Sequence, residues 1–196
     1  MRTSEHAVAC QRVALALLLT ASPSVSEDPP PVTNPAADAE PGTSVKEKMS
    51  IFRAYEGEWE GVQKYAEVEG KPAFESKDTF TGKFVLDDMY FEMAGKSEYP
   101  SGVSSYRWMI TFDAFQQNYR AWTFGSNGIV TEWTGEYKDA HKEMIWKFKD
   151  SRTATSGWLR TTVAPNKFKG IGAAKTENRR LVSDYSLEFR RKKIRI

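Results

Sequence analysis

Six stretches of this chain alternate apolar and polar residues with period two, and the segments between strands are too short to hold a crossover helix. Trp59, Gly61, Gln63 and Tyr65 fall on one face of the first stretch, with Glu58, Glu60, Val62 and Lys64 on the other. The same alternation returns over 89–93, 106–112, 129–137, 144–148 and 181–189. Weaker strands fit near 72–82, 117–124, 156–164 and 166–172, which brings the total to roughly ten. Separators such as Gly125-Ser-Asn-Gly128 and Ala164-Pro-Asn166 are turn sequences, so neighbouring strands must run antiparallel. With one short helix to cover it, such a sheet buries its dry face by closing on itself. The expected fold is all-β, an antiparallel up-and-down β-barrel of about 8 to 10 strands with a short N-terminal helix, a sandwich being the alternative. No fixed-period repeat runs through the strands, which argues against a propeller.

The 6 Trp, 8 Tyr and 11 Phe all lie between Phe52 and Phe189, so the core must form there. Just before it, Ser44 followed by Glu47 is a capping-box pattern, and Val45, Met49, Phe52 and Tyr55 recur at helical spacing until Gly57. A helix over about 45–55 is expected. Further upstream, Arg2 and Arg12 precede the apolar run Val13–Ala21, and Ser24, Val25 and Ser26 offer a cleavage site. That is a secretory signal pattern, too short for a membrane span of about 20 apolar residues. Residues 27–43 hold five of the nine prolines and almost nothing to bury, the composition of a disordered linker. The expected organisation is a signal peptide over 1–26, a Pro-rich linker over 27–43 and a barrel over 44–196, with no transmembrane segment and a secreted or periplasmic location.

Composition removes several function classes. Lys plus Arg number 28 against 26 Asp plus Glu, a balance that argues against nucleic-acid binding. One cysteine, Cys10, and two histidines, His6 and His141, exclude disulfide frameworks, zinc ribbons and two-histidine metal motifs. After cleavage near Ser26 a catalytic triad would need His141, which lies in the polar turn Lys138-Asp-Ala-His-Lys142. Asp87 and Asp88 point to opposite faces of a strand, and Glu58 and Glu60 share a wet one. Asp78, Asp87, Asp88 and Asp113 show no calcium-loop spacing, and no phosphate-binding glycine loop is present. No catalytic residue, metal ligand or cofactor is assigned, and no protein partner is identified. The basic run Arg190-Arg-Lys-Lys-Ile-Arg195 reads as a solvated tail after the last strand.

Three ordered segments carry a family likeness: Gly57-Glu-Trp-Glu-Gly61, then Thr111-Phe-Asp-Ala-Phe-Gln-Gln-Asn-Tyr-Arg-Ala-Trp122 leading to Gly125-Ser-Asn-Gly128, then Trp133-Thr-Gly-Glu-Tyr-Lys-Asp139 with Trp146. Together, over about residues 47–191, they resemble a lipocalin-like (calycin-type) barrel family of unknown function from bacteria. The resemblance implies an antiparallel barrel with a short helix near one end, in a superfamily whose members hold small hydrophobic molecules. It carries over no catalytic residue. A related haem-binding branch ligates iron through a late-strand histidine, and residues 157–190 contain none.

The dry face is rich in large rings and Met and poor in Leu and Val. Rings of that size can fill a small barrel, but Gly61, Gly135, Gly170 and Gly172 fall on or near the same face and are expected to leave room. Candidate ligand-binding residues are Trp59, Met93, Tyr106, Trp108, Tyr119, Trp133, Tyr137 and Trp146, with Met93 and Tyr137 nearer the mouth. Rings would supply apolar contact, and Tyr hydroxyls orientation. The expected function is non-catalytic binding of a small, partly hydrophobic molecule in the barrel interior. Two alternatives stand beside it: an interaction module with a filled barrel, and a small enzyme using interior carboxylate and tyrosine groups.

Overall fold

The computed structural model describes residues 41–68 and 70–192, with side chains from Val45 onward. The signal-peptide and linker expectations up to residue 40 lie outside the described residues.

Ten strands among the described residues form one closed antiparallel barrel, each hydrogen-bonded to its neighbours in sequence, with the first closing on the last. They are β1 (Gly57–Tyr65), β2 (Phe74–Val85), β3 (Tyr90–Tyr99), β4 (Gly102–Asp113), β5 (Asn118–Gly125), β6 (Val130–Lys138), β7 (Glu143–Asp150), β8 (Thr155–Ala164), β9 (Lys167–Thr176) and β10 (Leu181–Arg191). In β1 the register puts Trp59 opposite Phe80 of β2 on one side and Arg191 of β10 on the other. Period-two burial follows directly, as in β2, where Ser76, Asp78 and Phe80 are buried between exposed Glu75, Lys77, Thr79 and Thr81.

Outward positions carry charge, with pairs such as Lys64–Glu75 at 3.1 Å, Arg160–Glu143 at 3.3 Å and Lys167–Glu188 at 2.8 Å. This is the reverse of the apolar outer band of a membrane barrel. Among the described residues no helix is long and apolar enough to cross a membrane.

One end of the barrel is plugged. Helix α1 (Pro41–Met49) runs into a 3-10 segment, Ser50–Tyr55, so the single helix expected over about 45–55 starts earlier and changes pitch. Pro41 takes a first-turn position, where its missing N–H costs no helical hydrogen bond. The change of pitch follows from side-chain spacing. Met49, Phe52 and Tyr55 are three residues apart, and at three residues per turn such positions eclipse on one face. All three are buried. The Phe52 ring lies 5.5 Å from Phe91, 5.7 Å from Tyr119 and 6.5 Å from Trp146.

Arg191 latches this plug. Its guanidinium donates to the Glu56 carbonyl, to the Ala54 carbonyl at 2.9 Å and to the Pro165 carbonyl at 2.9 Å, and it stands 4.5 Å from the Trp59 ring. The reading of the basic run as a solvated tail is therefore corrected for its first two members: Arg190 and Arg191 belong to β10, and Arg191 seals the closed end. Residues 193–196 of that run lie outside the described residues.

Candidate functional site

The opposite end carries the polar interior. Strands β1 and β2 there place Gln63, Tyr65, Phe74, Ser76 and Asp78 on the inward parity, and β3 adds Ser97 and Tyr99. Asp78 is 1% exposed. Ser76 Oγ donates to Asp78 Oδ2 at 2.7 Å, Ser97 Oγ donates to Oδ1, and the Gln63 backbone adds a further hydrogen bond. Burial holds the Asp78 carboxyl above the ordinary carboxylate range, while these three donors pull it back down.

Rings surround this group. Tyr65 stacks on Phe74 with centroids 4.4 Å apart, and lies 5.6 Å from Tyr185 and 6.3 Å from Tyr99. Tyr106 packs over Gly95 of β3 and feels the Asp78 charge. Burial raises the pKa of Tyr65 and Tyr106, and that of Tyr185 to about 12. At neutral pH these three hydroxyls are therefore neutral hydrogen-bond donors. Tyr65 donates to Gln63 Oε1 at 2.6 Å. Tyr106 and Tyr185 make no side-chain hydrogen bond among the described residues.

Across the interior, Trp108 lies 5.1 Å from Trp133, and Trp133 lies 4.6 Å from Phe148. The Trp133 indole N–H donates to Thr123 Oγ1 at 3.3 Å. Tyr65, Tyr99, Tyr106, Trp108, Phe148 and Tyr185 are only half-buried, so solvent reaches this end.

The eight candidate residues divide between the two ends. Tyr106, Trp108 and Trp133 stand together toward the open end, with Met93 directly opposite Trp108 on β3. Trp59, Tyr119, Tyr137 and Trp146 stand at the plugged end. Trp59 donates to the Tyr55 carbonyl at 3.0 Å and Tyr119 to the Lys48 carbonyl at 2.9 Å, while Trp146 packs under Phe52. Tyr137 pairs with Met144 beside the plug, away from the open mouth.

The expectation that inward glycines leave room is overturned. Gly135 is covered by the Trp146 ring, Gly61 by Phe189, Gly172 by Tyr185 and Gly170 by Leu187. Each of these is the residue directly opposite on the neighbouring strand, so a missing Cβ on one strand seats a large side chain from the next.

Asp78, Ser76, Ser97, Gln63, Tyr65, Tyr99 and Tyr185 were not among the candidates. The signal was present. Glu75, Lys77, Thr79, Thr81 and Lys83 form a polar outward set, which leaves Ser76 and Asp78 on the same parity as Phe80. His141 is exposed in a short 3-10 turn, as a solvated turn residue should be. Among the described residues no cluster of three or more His, Cys, Asp or Glu is placed to hold a metal.

Two concavities, of about 1030 Å³ and about 530 Å³, lie on the outside of the barrel. The larger spans β1, β2, β3, β7, β8, β9 and β10 and is lined by mixed charges, among them Glu60, Lys64, Lys77, Lys169, Glu188 and Arg190.

A closed, meandering antiparallel barrel of ten strands with a short helix at one end is a lipocalin-like barrel fold. No family model matches the sequence, and no curated protein matches it. Solved structures do. An S-type phycobiliprotein lyase, CPES from Guillardia theta, superposes with a TM-score of 0.56 at 11% identity, over 79% of this chain and 97% of the other. Rv2717c from M. tuberculosis superposes with a TM-score of 0.57 at 8% identity, over 73% and 98%. At these identities the likeness concerns the fold.

Proposed function

We propose that this protein binds a small, partly hydrophobic molecule at the open end of its barrel and does not transform it. The observation that carries this reading is the asymmetry of the interior. One end is sealed by Phe52, Tyr55 and Arg191, while the other presents half-buried rings, the unpaired Tyr106 and Tyr185 hydroxyls and the buried Asp78. Such a mixture of apolar wall and a few oriented polar groups is the usual composition of a small-molecule site. Binding is favoured over catalysis because Tyr65, Tyr106 and Tyr185 hold their protons at neutral pH, which suits them to orient a ligand and not to move protons. A phycobiliprotein lyase shares the barrel fold, which is compatible with small-molecule binding. The signal pattern over 1–26 supports export to a secreted or periplasmic location.

Native mass spectrometry of the full chain purified from its own host tests this. A small-molecule mass that is retained under gentle conditions and lost on denaturation is expected. A bare protein mass turns the reading toward an interaction module. That second reading is favoured by exposed Phe124 and Val130, which pair directly across β5 and β6, with exposed Ile129 beside them.

A further inference from the structure

We infer that the ligand of the open end carries a positive charge, an alkylammonium or amidinium group on an apolar body, and that Asp78 is its counter-ion. The inference rests on the binding reading above and names the chemical class of the molecule.

The argument begins with the cost of Asp78. A carboxylate buried without a compensating cation is expensive. The ion pairs of the barrel, such as Lys83–Glu92 and Arg107–Glu92, involve outward-facing side chains, and among the described residues none reaches Asp78. Ser76 and Ser97 supply hydroxyls, which satisfy lone pairs but do not neutralise charge. An ionised carboxylate has about four acceptor positions, and the two serines with the Gln63 backbone occupy three. One remains for an incoming donor.

The surroundings suit a cation. Tyr65 and Tyr106 are near enough to Asp78 to feel its charge, and Tyr99 and Tyr185 lie 6.3 and 5.6 Å from the Tyr65 ring; the faces of such rings attract ammonium and guanidinium groups within about 6 Å. Phe74 extends the apolar wall outward from the Tyr65 ring. A carboxylate at the base, aromatic faces around it and an apolar rim fit a molecule whose polar end is positive. An anion would meet Asp78 as a like charge, and a neutral lipid would leave it unpaired.

The test titrates the full-length protein with two probes of matched apolar length, decylammonium and decanol, below their aggregation limits, following tryptophan emission from Trp108 and Trp133. Wild type should bind the cation at least about tenfold more tightly, a preference of about 1.4 kcal/mol. In Asp78→Asn the two affinities should converge to within about twofold. Because Asn removes a buried charge and keeps the shape, the variant is expected to fold, which its unfolding curve checks. Tyr106→Leu, which keeps Asp78 and removes one ring face, should also narrow the preference. Equal binding of both probes by wild type, or a preference that persists in Asp78→Asn, overturns the cation inference and leaves the carrier reading standing. Failure of both probes to bind overturns the two together.

Discussion

Gly135→Ala decides whether the closed half of the barrel is filled. Gly135 sits on β6 opposite Trp146 of β7. A Cβ at this position would lie 2.5 Å from Trp146 Cζ3 and 2.6 Å from Cε3, well inside contact distance. The ring has nowhere to retreat. It is 4% exposed, with Phe52 at 6.5 Å and Trp108 at 6.1 Å between centroids. Forcing a methyl into a packed core costs about 1–3 kcal/mol. Against that, replacing a strand glycine with alanine ordinarily gains about 0.5–1 kcal/mol. The two contributions have opposite signs, and the clash is the larger because both contacts are with ring atoms held from behind. The net expectation is a loss of about 1–2 kcal/mol, read as an unfolding midpoint lowered by about 2–4 °C per kcal/mol. Urea or thermal unfolding followed by tryptophan emission measures it. In a Trp146→Leu background the ring is gone, so the same alanine should be neutral or stabilising. A Gly135→Ala protein more stable than wild type would refute the reasoning, because it would mean that the glycine faces open space.

The other expectations concern the plug, the buried carboxylate and the leader. Phe52→Ala should cost about 3–5 kcal/mol, enough to threaten a domain of ordinary stability, and chemical denaturation measures it. Arg191→Met keeps apolar bulk over Trp59 but releases the Ala54, Glu56 and Pro165 carbonyls. A loss of about 1.5–3 kcal/mol and faster hydrogen exchange over 50–56 are expected. For Asp78, a folded pKa raised above 3.8 means that the native state prefers the protonated form. The penalty of ionisation is absent below about pH 3.8 and complete above the raised folded value. Asp78→Asn should therefore gain stability relative to wild type as pH rises from 3 to 7, and a flat or falling difference in urea midpoints would contradict the sign. Intact-mass measurement of the protein secreted by its host should give a mature chain beginning near Glu27.

The barrel was legible because its evidence is local. Alternation with period two and short Gly-, Asn- and Pro-containing turns leave an antiparallel meander few other ways to close. What lies opposite what was not legible, because register is a relation between strands. Gly61 and Gly135 look like vacancies in their own strands and become seats for Phe189 and Trp146 only when the neighbouring strand is in place. The plug was half-visible: Met49, Phe52 and Tyr55 fit a helix, but their spacing of three, which favours the tighter 3-10 turn, needed the barrel mouth to give it a purpose. Asp78 was readable by parity alone, from the polar set Glu75, Lys77, Thr79 and Thr81 on the other face of β2.

What sets the open end of the interior apart from the plugged one is its buried carboxylate, Asp78, and the tyrosines near it. At the plugged end three ring donors are paired within the fold, Trp59 with the Tyr55 carbonyl, Tyr119 with the Lys48 carbonyl and Tyr55 with Thr161 at 3.4 Å, while Tyr137 and Trp146 make no such bond among the described residues. A buried donor without a partner costs about 1–3 kcal/mol, so selection for stability alone would pair every such group or replace it with an apolar one. At the open end Tyr106 and Tyr185 could each be Phe at no cost in packing, yet both carry hydroxyls that no described residue accepts. Asp78 could be Asn, which keeps an acceptor for the two serines and removes the buried charge. Asp78, Tyr106 and Tyr185 are polar groups that packing alone does not require, and they stand toward the same end of the barrel, where a bound molecule would complete them.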